Sequence, residues 1–352
     1  MPFHIEYDRT VPARRPEGHQ PAAPRFSLRW NRPVPALASV YFGIQAKPLD
    51  WSVENAFYEM LRGMFTGEDA PESYEIMRCE DEAGYTNGIV AAYWTDPTRY
   101  ARWAEQSGFR QWYNQESHLD AGAGYWWEAI VVPYDRHETI YSGPDYRIGF
   151  GRTPDTVVVP ITNNGFFGAA RDRLPVSAID VLDAPLEPVP HSNRSTLGRH
   201  LMVQVPHNVT ILRSGQYWEG AGQEQLQDYM EALQPKLLRG MRYLAENKAE
   251  TGCMSLRIMT NLNEDGSPRA ETSVLGAFSS MHKLEKWAAS HETHLDIYRH
   301  AIAMNRLHKE KREVITWHEL FVLLMGNCFE YVNCHPQTGM LQYGVAWQRG
   351  SR

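Results

Sequence analysis

The run Trp287-Ala-Ala-Ser-His291-Glu-Thr-His294-Leu-Asp-Ile-Tyr298 sets two imidazoles three residues apart, on one helical face if the helix runs through. Seven of the 14 histidines, His282, His291, His294, His300, His308, His318 and His335, crowd between positions 282 and 335. Imidazole is the commonest metal ligand and also the side chain whose proton moves near neutral pH, so the crowding points to a metal, an acid/base step, or both. No HExxH occurs, and no adjacent carboxylates complete a zinc site or a two-His-one-carboxylate iron site. A centre needing one protein ligand fits better; haem is that case, because the porphyrin supplies the other in-plane nitrogens. The residues alone do not choose it, since a lone helical histidine is more often a satisfied surface or core residue.

The tract closes a unit that occurs twice. Ile89-Val-Ala-Ala-Tyr-Trp94-Thr-Asp-Pro-Thr-Arg-Tyr100-Ala-Arg-Trp103-Ala104 aligns without a gap on Ser273-Val-Leu-Gly-Ala-Phe278-Ser-Ser-Met-His-Lys-Leu284-Glu-Lys-Trp287-Ala288. Each copy reads as a buried strand, a Ser/Thr/Asp punctuation and an amphipathic helix. Strand-like Tyr74 to Arg78 and Ser255 to Thr260 precede them, each entering a turn-rich loop, Glu80 to Gly88 and Asn261 to Pro268. Openers are also paired: strand Leu37 to Ile44 and helix Ser52 to Phe65, then strand His207 to Arg213 and helix Gly222 to Glu246. The result is βαββα twice, an α+β pattern of ferredoxin-like type. Only the second copy's tract carries histidines, so a duplicated scaffold has gained a ligand in one half.

At 352 residues and 43% hydrophobic content the chain can bury a large core, and the repeat favours one domain over two. Residues 1-36, rich in Pro and Arg, read as an extended arm; 37-352 reads as a single domain of two repeats, about 37-150 and 200-345, with a connecting segment 151-199. A net charge of -7 and the lack of a Lys/Arg run argue against nucleic acid or an anionic membrane as partner. No stretch approaches the roughly 20 apolar residues of a membrane span, and the amino terminus has no apolar signal core, so the cytoplasm is expected. Cys79, Cys253, Cys328 and Cys334 show no CxxC pairing and read as buried, reduced thiols.

Four separated segments together resemble the haem-containing aldoxime dehydratases: His291-Glu-Thr-His294-Leu, Trp317-His318-Glu319, Leu212-Arg213-Ser214-Gly215-Gln216-x-Trp218, and Tyr331-Val-Asn-Cys334-His335-Pro-Gln-Thr-Gly339-Met-Leu341. His137-Glu138-Thr139 and Arg171-Asp172-Arg173-Leu174-Pro175 fall in the same order, so the likeness runs from about Ser39 to Leu341. The resemblance implies two ferredoxin-like halves forming a dimeric α+β barrel haem protein, and a homodimer. It also implies a lyase that dehydrates aldoximes, arylaliphatic ones such as phenylacetaldoxime and also alkyl ones, to nitriles. The cofactor is then haem b, ferrous in the active form, with the substrate nitrogen on iron and an electron donor to keep it reduced.

By the same resemblance His294 is the axial ligand to haem iron; its counterpart in the first repeat is Arg110, which cannot ligate a metal. His318 is the general acid at the leaving oxygen, with Glu138 keeping it charged, and the C-H proton goes either back to His318 or to water. Ser214 orients the substrate hydroxyl, an ST-turn at a strand end being the plainer reading. Arg173 supports the same oxygen, and Arg171, two residues away, competes for that assignment. Cys334 offers a thiolate ligand as a lesser alternative. The chain departs from the family at Glu292, at Phe166-Phe167-Gly168 and at Leu320-Phe321, which bears on pocket shape. The segments Gln45 to Asp50 and Glu250 to Cys253 look closer to the arylacetaldoxime branch. Two other classes stay open: a different dimeric-barrel haem enzyme of peroxidase or chlorite-dismutase type, needing no serine, and a non-catalytic haem-binding sensor.

Overall fold

The computed structural model describes residues 1–184, 190 and 194–348, so 185–189 and 191–193 of the connecting segment lie outside the described residues. A first strand, β1 (Arg25–Trp30), precedes the first repeat: β2 (Ala36–Ala46), α1 (Trp51–Met64), β3 (Ser73–Glu80), β4 (Thr86–Trp94), α2 (Pro97–Gln106), α3 (Phe109–Tyr113) and β5 (Gly124–Pro133). Next come β6 (His137–Tyr141), β7 (Thr156–Ile161), α4 (Ala169–Arg173) and β8 (His200–Gln204). The second repeat holds β9 (Thr210–Tyr217), α5 (Gln223–Asp228), α6 (Gln234–Glu246), α7 (Lys248–Thr251), β10 (Cys253–Leu262), β11 (Pro268–Phe278), α8 (Met281–Ser290), α9 (Glu292–His308) and β12 (Ile315–Val322). Finally β13 (Cys328–Val332) and β14 (Val345–Gln348) follow.

The strands form one antiparallel sheet in the order β14-β8-β13-β5-β2-β4-β3-β10-β11-β9-β12-β6-β1-β7. Each repeat therefore gains a last strand beyond the expected βαββα, and the internal order is the same in both: β5-β2-β4-β3 and β12-β9-β11-β10. The repeats join where Arg78 of β3 faces Thr260 of β10. The class is mixed helix and sheet.

Two local expectations change. Within the expected arm, Arg25-Phe-Ser-Leu-Arg-Trp30 is a strand between β6 and β7, because the prolines stop at Pro24 and the next six residues can all donate to a ladder. The helix expected from Gly222 to Glu246 is broken by a π-helical turn at Tyr229–Leu233. Pro235 has no N–H to offer the turn before it, which displaces the hydrogen-bond register there.

Alternation along the strands sorts side chains to two faces. Tyr41, Met77, Tyr93, Ile211, Met259, Trp317 and Phe321 belong to the core shared by both repeats. That core also holds two ion pairs across the repeats, Arg213–Glu75 and Arg257–Glu128, each at 2.6 Å. The other face of each repeat meets its own helices, and there the halves differ. In the first, Phe42, Trp103, Phe109 and Trp127 fill the space with α1 and α2. Their rings interlock at centroid distances of 4.8 Å for Phe42–Phe109 and 5.0 Å for Phe109–Trp127.

Candidate active site

The ladders identify which residues replace that packing in the second repeat. Phe42 lies between Val90 and Trp127 across its two ladders, and Ser214 lies between Val274 and His318. Val90 and Val274 are matched positions of the repeat, so Ser214 is the counterpart of Phe42 and His318 the counterpart of Trp127. The neighbouring residues match as well. A Cβ on Gly43 would fall 1.9 Å from the Trp126 ring, and one on Gly215 would fall 2.3 Å from the Trp317 ring. In the first half the guanidinium of Arg110 lies 4.9 Å from the Trp127 ring centroid. In the second, a serine and two histidines replace two aromatics and that cation, and a hollow opens.

The hollow is a cavity of about 390 Å³ between the β9–β12 face and α8 and α9. A smaller one of about 160 Å³, reaching under α6, shares Ser214, Trp287 and His294 with it. The wall formed by α9 has an unusual character. Asn305 is the one buried residue of this long helix, whereas α1 buries Glu54, Phe57, Tyr58 and Leu61. The face that should pack, His294, Ile297, Tyr298 and Ala301 at i, i+3, i+4 and i+7, lines the hollow instead.

His294 is set on that wall by a break in the tract. Helix α8 ends at Ser290, and His291 caps α9, its Nδ1 accepting from the Thr293 N–H at 3.3 Å. The two histidines therefore do not share one helical face, and His291 is occupied as a cap, stacked on Tyr243 at 3.7 Å. The Trp287 ring meets His294 edge-on at 4.9 Å, and its Nε1 donates to the Thr293 hydroxyl at 3.3 Å. Among the described residues the His294 Nδ1 is buried without a hydrogen-bond partner. Burial pushes its pKa below the usual value, the Ala288 backbone opposing in part, and this favours the neutral imidazole that ligates metals. Haem fits these residues: a neutral imidazole with an unpartnered Nδ1 projects from an apolar helix face into a broad hollow. Among the described residues no three His, Cys, Asp or Glu converge on a bare metal ion.

The sheet wall carries the polar groups. His318 on β12 stands in register with Ser214 on β9 and Ile140 on β6. Glu138, two residues along β6 on the same face, accepts from His318 Nε2 at 2.9 Å. Arg173, at the end of α4, donates through Nε to one Glu138 oxygen and through Nη2 to the other at 2.8 Å. Its Nη1 holds the Asn163 carbonyl at 3.0 Å. Burial alone would raise the Glu138 carboxyl, but Arg173 and His318 outweigh it and hold the pKa down at about 2. His318 Nε2 also lies 3.2 Å from Arg173 Nη2. That nitrogen donates to Glu138 when protonated and can accept from Arg173 when bare, which leaves Nδ1 for the hollow. Ser214 lies in mid-strand rather than after it, so the expected strand end at Arg213 is wrong. The Ser-Gly pair hid four further strand residues, and the hydroxyl, 3.4 Å from the Trp317 carbonyl, points onto the hollow's wall.

Other residues singled out in the sequence lie elsewhere. Arg171 is bound to Glu285 at 2.8 Å and to the Val181 carbonyl, so of the two arginines it is Arg173 that reaches the dyad. The Cys334 thiol is buried beside the Tyr125 carbonyl at 3.1 Å, and burial pushes its pKa far up, against a thiolate. Cys79 and Cys253 are buried as expected, but Cys328 is only half-buried. Glu319, adjacent to His318, points to the shared core, where burial raises its pKa to about 7. Sequence reasoning missed the last strand of each repeat, although Trp126-Trp-Glu128 and Trp317-His-Glu319 repeat as Trp-x-Glu. It also missed that the arm anchors the Arg173 loop: the Arg14 and Arg15 N–H groups donate to Asp172 at 2.8 and 2.9 Å.

This chain belongs to the haem-containing dehydratases, whose family profile matches residues 40–340. Among curated relatives it is 32% identical to the phenylacetaldoxime dehydratase of Bacillus sp. (strain OxB-1), over 93% of both chains. It is 30% identical to the aliphatic aldoxime dehydratase of Pseudomonas chlororaphis, over 97% of both. Among solved structures, an aldoxime dehydratase superimposes with a TM-score of 0.88 at 29% identity, covering 97% of each chain. An aldoxime dehydratase in complex with butyraldoxime superimposes with a TM-score of 0.89 at 27% identity, covering 98% of this chain and 96% of that one. No described helix is long and apolar enough to cross a membrane.

Proposed function

We propose that the protein is a lyase that removes water from aldoximes to give nitriles, at a ferrous haem b held by His294. The observation that carries this reading is the facing of the two walls. A neutral imidazole with an unpartnered Nδ1 stands on one side of an apolar hollow, and an imidazole–carboxylate–guanidinium cluster with a serine stands on the other. When bound, haem would supply an electron-rich iron for the oxime nitrogen, which would assist breaking of the N–O bond, with an electron donor to keep it reduced.

The chain's residues supply the rest. His318, with Nε2 held by Glu138, presents Nδ1 to the hollow and protonates the oxime oxygen, so that it leaves as water rather than hydroxide. Conversion to nitrile also requires the aldoxime carbon to lose its proton, and the same nitrogen, bare after the first transfer, is the base at hand. Ser214, directly opposite His318 across the ladder, hydrogen-bonds the substrate hydroxyl and fixes its orientation. Arg173 was expected to touch that oxygen. Its Nε and Nη2 are committed to Glu138, so we assign it the task of keeping the carboxylate ionised and aligned. Phe166, Phe167 and Ile140 on the hollow's wall suit an arylaliphatic chain such as that of phenylacetaldoxime, with alkyl aldoximes also admitted.

We further propose that the two four-stranded units are ferredoxin-like halves of one α+β barrel domain, with residues 1-24 as an arm upon it. A homodimer and a cytoplasmic location go with this reading. The deciding experiment is anaerobic reduction of the haem-loaded protein followed by phenylacetaldoxime, with nitrile measured directly. Nitrile from the ferrous and not the ferric protein is expected. Haem binding without nitrile from any aldoxime would favour a sensor or a peroxidase-type relative.

A further inference from the structure

Among the described residues, two arginines at the mouth of the hollow have no anionic partner. Arg25, at the start of β1, and Arg312, just beyond α9, both line the main hollow and also an outer hollow of about 640 Å³ next to it. Arg25 Nη1 donates only to the Pro24 carbonyl at 3.0 Å, and Arg312 Nη1 to the Asn305 side chain. Among the described residues neither forms an ion pair. Asp228, the carboxylate acting on Arg312, is itself held by His300 Nε2 at 2.9 Å, and Asp145 and Glu310 line the outer hollow without pairing to either arginine. The Arg25 pKa is pushed down to about 10, by burial first and then by the charges of Arg312 and Arg173. Like charges gathered in a half-buried place, with no counter-charge of their own, are unfavourable unless an anion arrives.

We propose that Arg25 and Arg312 form a carboxylate-receiving site at the edge of the hollow. This rests on the haem reading above. A guanidinium matches a carboxylate with paired N–H donors, and such charge-assisted bonds in a partly dry place are the strong ones. The hollow opens onto these arginines at the edge between its two walls, where a flat group lying between His294 and His318 would bring its rim. The chemistry is that of an alkyl carboxylate, and it has two sources: the propionates of the haem, or a carboxylate carried by the aldoxime.

The experiment titrates the apoprotein with iron protoporphyrin and with its dimethyl ester, following the Soret band. The wild type should prefer the free acid by about tenfold or more, and Arg25→Leu or Arg312→Gln should remove most of that preference, while Arg25→Lys should keep part of it. If Arg25→Leu does not fold, Arg312→Gln carries the same reading. If the porphyrin preference is unchanged in the variants, the second arm compares an aldoxime bearing a terminal carboxylate with its neutral methyl ester. A rise in KM confined to the charged substrate then assigns the site to the substrate. No change in either arm overturns the proposal and leaves the dehydratase reading intact, whereas a wild-type protein that binds neither porphyrin overturns both.

Discussion

Replacing Glu138 by glutamine tests the cluster on the sheet wall more sharply than any other change. The carboxylate side chain is 3% exposed and that of Arg173 8%, so the pair is withdrawn from water on both sides. Glutamine keeps the volume and removes the charge, and its amide nitrogen cannot accept from a guanidinium. Breaking one side of such a pair leaves a buried cation and costs about 3–5 kcal/mol. Urea unfolding of the haem-free protein should therefore show a loss of that order. Turnover should fall further than stability suggests, because His318 Nε2 loses the carboxylate that accepts its hydrogen bond and orients it; a positioned proton donor is worth about 10²–10⁴ in rate. Haem content, read from the Soret band, should stay close to that of the wild type, since His294 is on the opposite wall. A variant whose anaerobic kcat stays within about fivefold of the wild type would refute the assignment of Glu138 to the proton path.

His294→Ala should fold but retain little haem, and added imidazole should restore part of the Soret absorbance; His318→Ala should keep haem and lose nitrile formation, and the opposite pattern would mean the two walls have been exchanged. Ser214→Ala should lower kcat by about 10–10³ with haem content unchanged, since it removes orientation and not the acid; a full rate would refute the serine's part. Acid stability gives a separate check. A carboxyl held at about 2 when folded is depressed below its unfolded value of about 4.3, so its contribution is complete above that value and is lost as pH falls toward 2. The stability gap between wild type and Glu138→Gln should accordingly narrow between about pH 5 and 2 in urea titrations, and a constant gap would contradict the charge assignment.

Much of the frame was legible because it is periodic. The tryptophan-anchored alignment of β4–α2 with β11–α8 placed matched strands and helices whose ladders do match, Val90 against Val274. What escaped notice was decided between distant segments. Ser214-Gly215 looks like a strand terminus until Trp317 is known to lie against the glycine, which leaves no room for a Cβ there. The arm looked like loose polyproline, and the strand at Arg25–Trp30 is explained only by the two neighbours, β6 and β7, that it pairs with. For the site, the family resemblance named His318, Glu138, Ser214 and Arg173, but local sequence could not choose between Arg171 and Arg173. Helix phase separates them: one turns to Glu285 on α8 and the other to Glu138 on β6.

The asymmetry of the repeat has an energetic consequence that can be measured. In the first half Phe42, Trp103, Phe109 and Trp127 cement α1 and α2 to the sheet, each buried ring contributing about 1.5–3 kcal/mol. The second half gives up two such rings at Ser214 and His318, and α9 turns its packing face to the hollow with only Asn305 buried. Helices with few apolar partners open locally at low free energy, whereas a ligand that binds only the closed form restores them by mass action. Amides of α9 and of α6 should therefore exchange with deuterium faster than those of α1 in the haem-free protein. Haem should slow the former selectively, leaving α1 and α2 almost unaffected. Equal protection of α1 and α9 without haem would show that the hollow is not an energetic deficit, and that the second repeat packs as well empty as the first does filled.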